Sequence, residues 1–488
     1  MSAIPVLAGH ATATQRHDDP TMAMEPIALM LEAVRAAANA SALAAVQRIY
    51  VPKGRWAYAD PGRTIAQAIG ASNPVSVLAT VGVLQQSLIA DACRRITDGE
   101  IDVALVVGGD TGYRILRSRL TGIAAPNRTL DGEPDIVLAP RDELRHKAEL
   151  RVGLKMPVGL YAILESAFRT RHGWTAEDHA RRLAAMYSGF SHIAAENPDA
   201  WSRTPLEPDA IRLPSDRNPM QASPYTRRHC SSWNVDQAAA LLLCSEAKAI
   251  DLGLRREDWV YPWASTESNH MVAVAARPEL HRCRGAQIAG QAALDLSGLT
   301  IADLDLIELY SCFPIAVETY ATELGISLDR PLTVTGGMPF AGGPYNNYVL
   351  QATCRMADLL RQGKGFFGLV SSVSGILTKQ GFGIWSCARP PACFQFSDET
   401  DAVARASEPL EVLDSYSGPA RVAGYTVVHD RGQPPRGIIL ADVAPNQRVV
   451  AATTAPEIVD RMEREEFAGR LVHVEDAVFQ LLATETRP

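Results

Sequence analysis

Apolar positions in the first hundred residues follow two spacings, one typical of helices and one typical of buried strands. They recur at helical spacing over residues 25–46 and 84–96, and the second run stops at Asp98-Gly99. Short apolar runs predict strands near the N-terminus (IPVLAG) and at residues 48–52, 75–82 and 101–108. This alternation of helix and strand predicts an α/β fold with a largely parallel sheet.

The same order of turn, helix, glycine and buried strand occurs twice. Residues 81–109 read VGVLQQSLIADACRRITDGEIDVALVVGG, and residues 342–372 read GGPYNNYVLQATCRMADLLRQGKGFFGLVSS. The second half is predicted to contain strands at 259–263, 304–310 and 366–370, helices at 280–294 and 344–363, and a small-residue loop at 371–375. We interpret the repeat as a duplicated α/β domain whose site collects loops from both halves.

Two regions depart from this alternation of predicted helices and strands. Residues 114–227 are rich in Arg, Pro and His and predict an inserted lobe over a binding cleft. Beyond residue 390, short apolar runs separated by Asp, Gly and Pro predict a small β-rich domain of barrel type, with strands at 422–429, 437–443, 447–453 and 471–474. The predicted domains are 1–255 with the insertion at about 114–227, 256–390, and 391–488.

Composition narrows the possible functions. The chain has 488 residues, 47% of them hydrophobic, and a net charge of -8, which disfavours a nucleic-acid surface. No apolar run approaches the roughly 18–20 residues that span a bilayer, and no secretory signal is recognisable, so we expect a cytoplasmic protein. The eight cysteines lack metal-ligand spacing and predict reduced thiols and no structural metal.

Three stretches of the sequence resemble those of a known protein superfamily. They are ELYSCFP (308–314), TGGMPFAGGPYNNY (335–348) and SGILTKQGFGIWS (374–386). Residues 1–390 resemble the thiolase superfamily, and the whole chain resembles its type 1 thiolase-like proteins, often labelled acetyl-CoA acetyltransferases. The resemblance implies a duplicated α-β-α-β-α core with a small OB-like C-terminal domain. It also implies an acyl-CoA thioester bound under the lobe as substrate or ligand, with no further cofactor, and a role in lipid metabolism.

The side chains that thiolases use for catalysis are missing from this sequence. The position of the nucleophilic cysteine falls at or beside Gly82, and the Asn-Glu-Ala-Phe loop becomes residues 310–313. The Gly-His-Pro motif becomes residues 342–344, and the Cys-x-Gly motif becomes residues 373–375. We therefore expect no thiolysis or Claisen condensation through an acyl-cysteine.

Tyrosines occur at or beside two of the positions at which the thiolase catalytic side chains are missing. A related branch, the steroid side-chain acyl-CoA aldolases, resembles this chain in its Tyr-x-x-Phe loop and implies proton transfer by Tyr310 and Tyr345. Tyr310 could instead fill the space of a lost residue, and a tyrosine acting as a base needs a lowered pKa. His270 is a further catalytic candidate or a hydrogen-bonding histidine.

Other residues are candidates for contacting the substrate. Cys312 is a displaced nucleophile or a small buried hydrophobe, and Arg228 contacts a CoA phosphate or is a solvated charge. Asn346 and Asn347 are expected to cap a helix or to bond a ligand carbonyl. The predicted substrate-binding residues are Gly82, Cys312, Gly343, Asn346, Ser374, Gly375 and Arg228.

Two functions remain open from the sequence. One is an enzyme of the acyltransferase class, or a C–C lyase or ligase, that acts on acyl thioesters without an acyl-cysteine. The other is an inactive thiolase-fold protein that binds a ligand or supports a partner enzyme. Both a monomer and a homodimer are possible, because thiolases usually dimerise through the core and an added domain could block that surface.

Overall fold

The computed structural model describes residues 3–140 and 142–482. Helices of these residues are α1 (Pro26–Ala37), α2 (Ala40–Ala44), α3 (Pro61–Ile69), α4 (Gln85–Thr97), α5 (Gly112–Thr121), α6 (Lys147–Arg151), α7 (Pro157–Arg171), α8 (Ala176–Glu196), α9 (Pro208–Arg212), α10 (Glu246–Asp251), α11 (Arg284–Ser297), α12 (Pro314–Leu324), α13 (Tyr348–Arg361), α14 (Thr400–Ala406) and α15 (Pro456–Arg464). None of the described helices is long and apolar enough to cross a membrane.

The strands form three sheets. They are β1 (Pro5–Gln15), β2 (Arg48–Pro52), β3 (Val75–Ala79), β4 (Val103–Thr111), β5 (Ile136–Leu138), β6 (Met220–Ala222), β7 (Tyr225–Thr226), β8 (Asp236–Ser245), β9 (Tyr261–Ser268), β10 (Leu306–Glu308), β11 (Phe367–Ser374), β12 (Lys379–Ser386), β13 (Gln395–Asp398), β14 (Glu411–Val412), β15 (Ser417–Val428), β16 (Arg436–Ala444), β17 (Gln447–Thr453), β18 (Leu471–Glu475) and β19 (Val478–Leu481).

The first two sheets share one topology. In the first sheet, of order β1-β8-β4-β2-β3-β5, strand β8 lies between β1 and β4 and is antiparallel to both. In the second sheet, of order β10-β11-β12-β9-β13, strand β12 lies between β9 and β11 in the same way. In each sheet this antiparallel strand is the last in chain order of four corresponding strands (β1, β2, β4 and β8; β9, β10, β11 and β12), as expected for a duplicated domain.

Helices cover both sheets and fill the space between them. Leu88 of α4 and Val349 of α13 pack with Val106 of the first sheet and Trp385 of the second, so these two helices form the middle layer. Side chains of α1 and α3 pack on the outer face of the first sheet, and side chains of α11 and α12 pack on the outer face of the second. The predicted α-β-α-β-α layering is confirmed.

The C-terminal strands close on themselves. Strand β15 pairs with β16, β16 with β17, β17 with β19, β19 with β18, and β18 again with β15. The ring encloses an apolar interior that includes Val427, Ile439, Val472 and Phe479. Closure leaves none of these five strands as a free edge, and the expected small OB-like β-domain is confirmed.

The inserted lobe, which lies between β4 and β8 of the first half, joins the core to this barrel. The short hairpin β6–β7 adds to β15, where Ala222 faces Val428. Helix α7 packs along β15, and the Ser166 hydroxyl oxygen accepts a hydrogen bond from the Tyr425 amide at 2.8 Å. The lobe is therefore held from two sides, by the barrel and by helix α12 of the core.

Three local predictions were wrong. The helix predicted over 25–46 is broken, because the Asn39 side chain accepts a hydrogen bond from the Ala42 amide and caps a second short helix. The helix predicted from 344 begins at Tyr348, after Asn346 adopts a left-handed φ of 57°. The loop predicted at 371–375 is strand through Ser374, since the turn comes later, at residues 375–378.

Candidate functional site

The N-termini of the two central helices meet in the middle layer. The Gln85 side-chain oxygen, in the first turn of α4, accepts a hydrogen bond from the Val349 amide in the first turn of α13, at 2.7 Å. Amides in a first helical turn lack intrahelical partners and carry partial positive charge. The Gln85 side chain satisfies the Val349 amide, so this amide is engaged within the protein where α4 and α13 begin.

Gly82 forms the turn that leads into α4. Its φ of 103° lies in the left-handed region, and a Cβ atom there would lie 2.8 Å from Pro140 Cγ. A cysteine at this position would be strained and would collide with Pro140. The position that the resemblance assigns to the nucleophilic cysteine therefore has a backbone that excludes a side chain.

Lys379 contacts this turn and was not singled out from the sequence. Its Nζ donates a hydrogen bond to the Gly82 carbonyl oxygen at 3.1 Å, and the side chain is almost fully enclosed. Burial lowers the pKa of Lys379, although Asp142 and Glu267 oppose the shift. A lone lysine in the apolar stretch SGILTKQGFGIWS was the available signal.

A tight turn joins β11 to β12 and brings three further positions to Lys379. Ser374 pairs with Lys379 across the hairpin, and Gly375 adopts a φ of 68° with no room for a Cβ beside Thr378. The Thr378 hydroxyl donates a hydrogen bond to the His270 carbonyl oxygen at 3.2 Å. Ser374, Gly375 and His270 therefore lie on the Lys379 side of the site.

His270 borders a small cavity. Its Nε2 is buried and has no hydrogen-bond partner among the described residues. The cavity, of about 60 Å³, is also lined by Arg277, Cys283 and Thr378. This volume accommodates a few water molecules, so His270 faces a space for solvent or a small group.

Tyr310 is the second residue after the end of β10 and the third of the ELYSCFP stretch. Its amide donates to the Ser371 hydroxyl oxygen at 2.9 Å, and its ring meets the Tyr348 ring edge-on with centroids 5.6 Å apart. Its hydroxyl has no hydrogen-bond partner among the described residues, and burial raises the pKa of Tyr310. The group stays protonated at neutral pH and is a hydrogen-bond donor rather than a base.

Glu308 anchors the glycine turn beside Tyr310. Its buried carboxylate accepts hydrogen bonds from the Val334 amide at 2.7 Å, the Thr335 amide at 2.9 Å and the Tyr348 hydroxyl at 2.5 Å. Burial raises the pKa of Glu308 despite these donors. Glu308 and Tyr348 thus support the loop, and no pattern along the chain distinguishes them from core residues.

Cys312 is held as a neutral thiol. Burial raises its pKa to about 12, so the thiolate that a nucleophile requires is scarce at neutral pH. Its carbonyl oxygen accepts hydrogen bonds from the Ser231 amide and hydroxyl at 3.3 and 3.0 Å. The lobe residue Tyr161 stacks on Phe313 next to it, with ring centroids 4.5 Å apart.

Gly343 contacts the Ser231-Ser232 segment, which also contacts Cys312. Its amide donates to the Ser232 carbonyl oxygen at 2.9 Å, so this amide is engaged and not a free donor for a ligand. A Cβ at Gly343 would lie 3.0 Å from Met338 Cε. The position of the thiolase histidine is therefore closely packed.

Tyr345 and the two asparagines complete the turn before α13. The Asn346 side chain donates to the Lys53 carbonyl oxygen at 3.2 Å, and the Arg55 guanidinium lies 5.9 Å from the Tyr345 ring centre. Asn347 is the N-cap residue but makes no capping hydrogen bond. Both of its side-chain polar atoms are buried without a partner among the described residues, so the expected asparagine cap is absent.

Arg228 is anchored within the lobe. Its Nη1 donates to the Ala210 carbonyl oxygen at 2.5 Å, and its amide donates to the Asn218 side-chain oxygen at 2.9 Å. No hydrogen bond in the described part of the chain joins it to Gly82, Tyr310 or Lys379. Contacts join Gly82, Lys379, Ser374 and His270 in one group and Cys312 and Gly343 in another, and Arg228 belongs to neither.

A solved structure matches nearly the whole chain. The crystal structure of a monomeric SCP2-thiolase like protein type 1 from Mycobacterium smegmatis superposes with a TM-score of 0.82 at 26% sequence identity, covering 98% of this chain and 99% of the other. The chain belongs to the thiolase superfamily. No family model matches it.

More distant similarities agree with membership of the thiolase superfamily. An acetyl-CoA acetyltransferase from Methanocaldococcus jannaschii is 26% identical over 166 residues, which are 34% of this chain. The chain spans only 40% of the length of that relative. An Ltp2-ChsH2(DUF35) aldolase shares the fold, with a TM-score of 0.58 at 17% identity over 79% of this chain and 98% of the other.

Proposed function

We propose that this thiolase-superfamily protein binds an acyl thioester such as acyl-CoA and breaks or forms a C–C bond next to the thioester carbonyl, without an acyl-cysteine. The observation that carries the proposal is the contact between Lys379 and Gly82. A buried amine thereby occupies the surroundings in which thiolases hold their nucleophile. The reaction class we infer is an aldol-type cleavage or its reverse.

An acyl-cysteine route is disfavoured by two features of the site. Gly82 has a left-handed backbone that excludes a cysteine, and the Cys312 thiol has a pKa of about 12. Transfer of an acyl group through sulfur requires a thiolate. Chemistry that needs only proton transfer and stabilisation of an oxyanion remains compatible with these residues.

In this proposal Lys379 and Tyr310 divide the proton chemistry. Lys379, whose pKa is lowered by burial, takes the proton from the β-hydroxyl of a 3-hydroxyacyl thioester. The bond between the α and β carbons then breaks, the β carbon becomes a carbonyl, and the electron pair passes into the thioester as an enolate. The Tyr310 hydroxyl donates a hydrogen bond to the enolate oxygen. The Lys379 ammonium then returns its proton to the α carbon, which completes the acyl thioester and restores the neutral amine.

The direct test is turnover of 3-hydroxyacyl-CoA thioesters by the full chain, followed by mass spectrometry of the shortened acyl-CoA and the released carbonyl compound. Acyl-CoA binding is measured in parallel by calorimetry. Binding with no turnover for any chain length would favour the alternative, an inactive binding or scaffold protein. Neither binding nor turnover would overturn the proposal as a whole.

Tyr310→Phe is expected to lower turnover about 10²-fold while leaving acyl-CoA affinity within a few-fold, because only the hydroxyl that meets the enolate is removed. Tyr345→Phe tests the second tyrosine in the same assay. Tyr261→Phe is the matched control, since the Tyr261 hydroxyl bonds Glu246 at 2.9 Å on the outside of the core. Equal turnover of Tyr310→Phe and Tyr261→Phe would remove Tyr310 from the mechanism.

We expect the chain to be a monomer in solution. Strand β5 pairs with β3 and takes the edge of the first sheet, and it is only three residues long. A short edge strand offers little for a second copy to pair with, and the similar Mycobacterium smegmatis protein is described as monomeric. Light scattering should give a mass near 52.7 kDa, and a mass twice as large would contradict the expectation.

A further inference from the structure

Two carboxylates and an imidazole lie together where helices of the lobe pack on a helix of the core. Glu165 is on α7, His179 is on α8, and Glu318 is on core helix α12. The exposed fractions of these residues are 0%, 0% and 2%. Ionisable groups are seldom buried this completely unless they are paired or bind a metal.

The donor atoms have the spacing of a metal site. Glu165 Oε1 lies 2.6 Å from His179 Nε2, and His179 Nε2 lies 3.8 Å from Glu318 Oε2. One donor atom from each residue falls within 4.8 Å of the other two. Ligands about 2.0–2.1 Å from a tetrahedral zinc ion are roughly 3.3 Å apart, so the observed separations lie on either side of the required value.

One carboxylate oxygen of the Glu165–His179–Glu318 cluster has no hydrogen-bond partner among the described residues. Glu318 Oε2 is buried and makes no hydrogen bond with any described residue. A buried carboxylate oxygen without a donor is costly, and a cation at this point would satisfy it.

The surroundings hold the donor atoms in place. The Tyr225 hydroxyl donates a hydrogen bond to Glu165 Oε2, which leaves Oε1 directed at His179. The Trp174 ring stacks on the His179 ring with centroids 5.3 Å apart. These contacts restrict the orientation of Glu165 and of the His179 ring, while His179 Nδ1 has no hydrogen-bond partner among the described residues.

We propose that Glu165, His179 and Glu318 form a binding site for one divalent transition-metal ion, and that zinc suits this donor set best. Zinc accepts imidazole nitrogen and carboxylate oxygen, whereas magnesium and calcium select oxygen ligands alone. The two carboxylates balance the charge of the ion. Because α12 begins at Pro314, just after the ELYSCFP loop, the ion would fasten the lobe to the core next to Tyr310.

The site is tested on the full chain, purified without a histidine tag, stripped with a chelator and then titrated with zinc against a fluorescent zinc chelator. We expect about one zinc ion per chain by elemental analysis after gel filtration, and a higher melting temperature with zinc present. Magnesium should produce neither effect.

His179→Gln and Glu318→Gln are expected to weaken zinc binding at least about 100-fold. His429→Gln is the matched control, because His429 forms an exposed pair with Glu463 at 2.8 Å and should leave binding unchanged. A wild-type chain that binds less than stoichiometric zinc would overturn the proposal even if the variants fail to fold. Undiminished binding by folded His179→Gln would overturn it as well.

Discussion

Replacement of Lys379 by methionine is expected to reduce turnover of 3-hydroxyacyl-CoA at least about 10²-fold. Methionine fills a similar volume but has no proton to exchange and cannot bond the Gly82 carbonyl. The hydrogen bond at 3.1 Å is the only link between this side chain and the turn before α4 among the described contacts. Acyl-CoA affinity, measured by calorimetry, should change far less than the turnover number.

The pH dependence of the turnover rate shows whether Lys379 acts as a base or has only a structural role. Burial lowers the pKa of Lys379, so its neutral, proton-accepting form increases as the pH rises through a value below the ordinary lysine pKa of about 10.4. The wild-type rate should rise along this limb, and the limb should be missing from Lys379→Met. Lys364→Met, at an exposed lysine after α13, is the matched control. A full rate for folded Lys379→Met would remove the proposed base.

Replacement of Glu308 by alanine is expected to destabilise the core by about 3 kcal/mol or more. The change removes the carboxylate acceptor of the Val334 amide, the Thr335 amide and the Tyr348 hydroxyl. The Thr335 amide keeps the Thr333 hydroxyl oxygen as acceptor and the Tyr348 hydroxyl keeps the Thr335 hydroxyl as partner, so the Val334 amide is the donor left unsatisfied among the described contacts. Each unsatisfied buried donor costs roughly 1–3 kcal/mol, and a small cavity adds to this. Urea unfolding followed by tryptophan fluorescence measures the loss, because Trp385 is enclosed in the same middle layer.

Two variants delimit this effect. Glu308→Gln keeps the volume and one carbonyl acceptor and should lose less stability than Glu308→Ala. Glu257→Ala removes a glutamate that is about two-thirds exposed and should change the unfolding midpoint little. If Glu308→Ala unfolded at the same urea concentration as Glu257→Ala, the carboxylate would not be the anchor of the glycine turn.

The layered fold could be predicted from the sequence because its signals are local or periodic. The match between residues 81–109 and 342–372 follows from helical spacing, a helix-ending glycine and a buried strand, all of which are visible within thirty residues. The absence of a cysteine near Gly82 is equally local. Errors arose where a single side chain decided the outcome, as when Asn39 split one predicted helix into two.

The candidate site was only partly predictable. The loops that carry Tyr310, Gly343 and Ser374 were located by motif, but the roles assigned to them remain predictions. Lys379 was overlooked, because its importance depends on contact with Gly82, nearly three hundred residues earlier in the chain. Spacing along the sequence does not encode a contact of that range.

By itself, then, the sequence determined the alternation of helix and strand and the duplication, and its resemblance to thiolases predicts that their catalytic side chains are lost. Only the tertiary structure decided that Gly82 has no room for a side chain and that Lys379 is buried beside it. It also brought Glu165, His179 and Glu318 together from three helices. The physical reason is that periodicity records which face of an element is buried, whereas a pKa or a ligand set depends on which distant elements pack against that face.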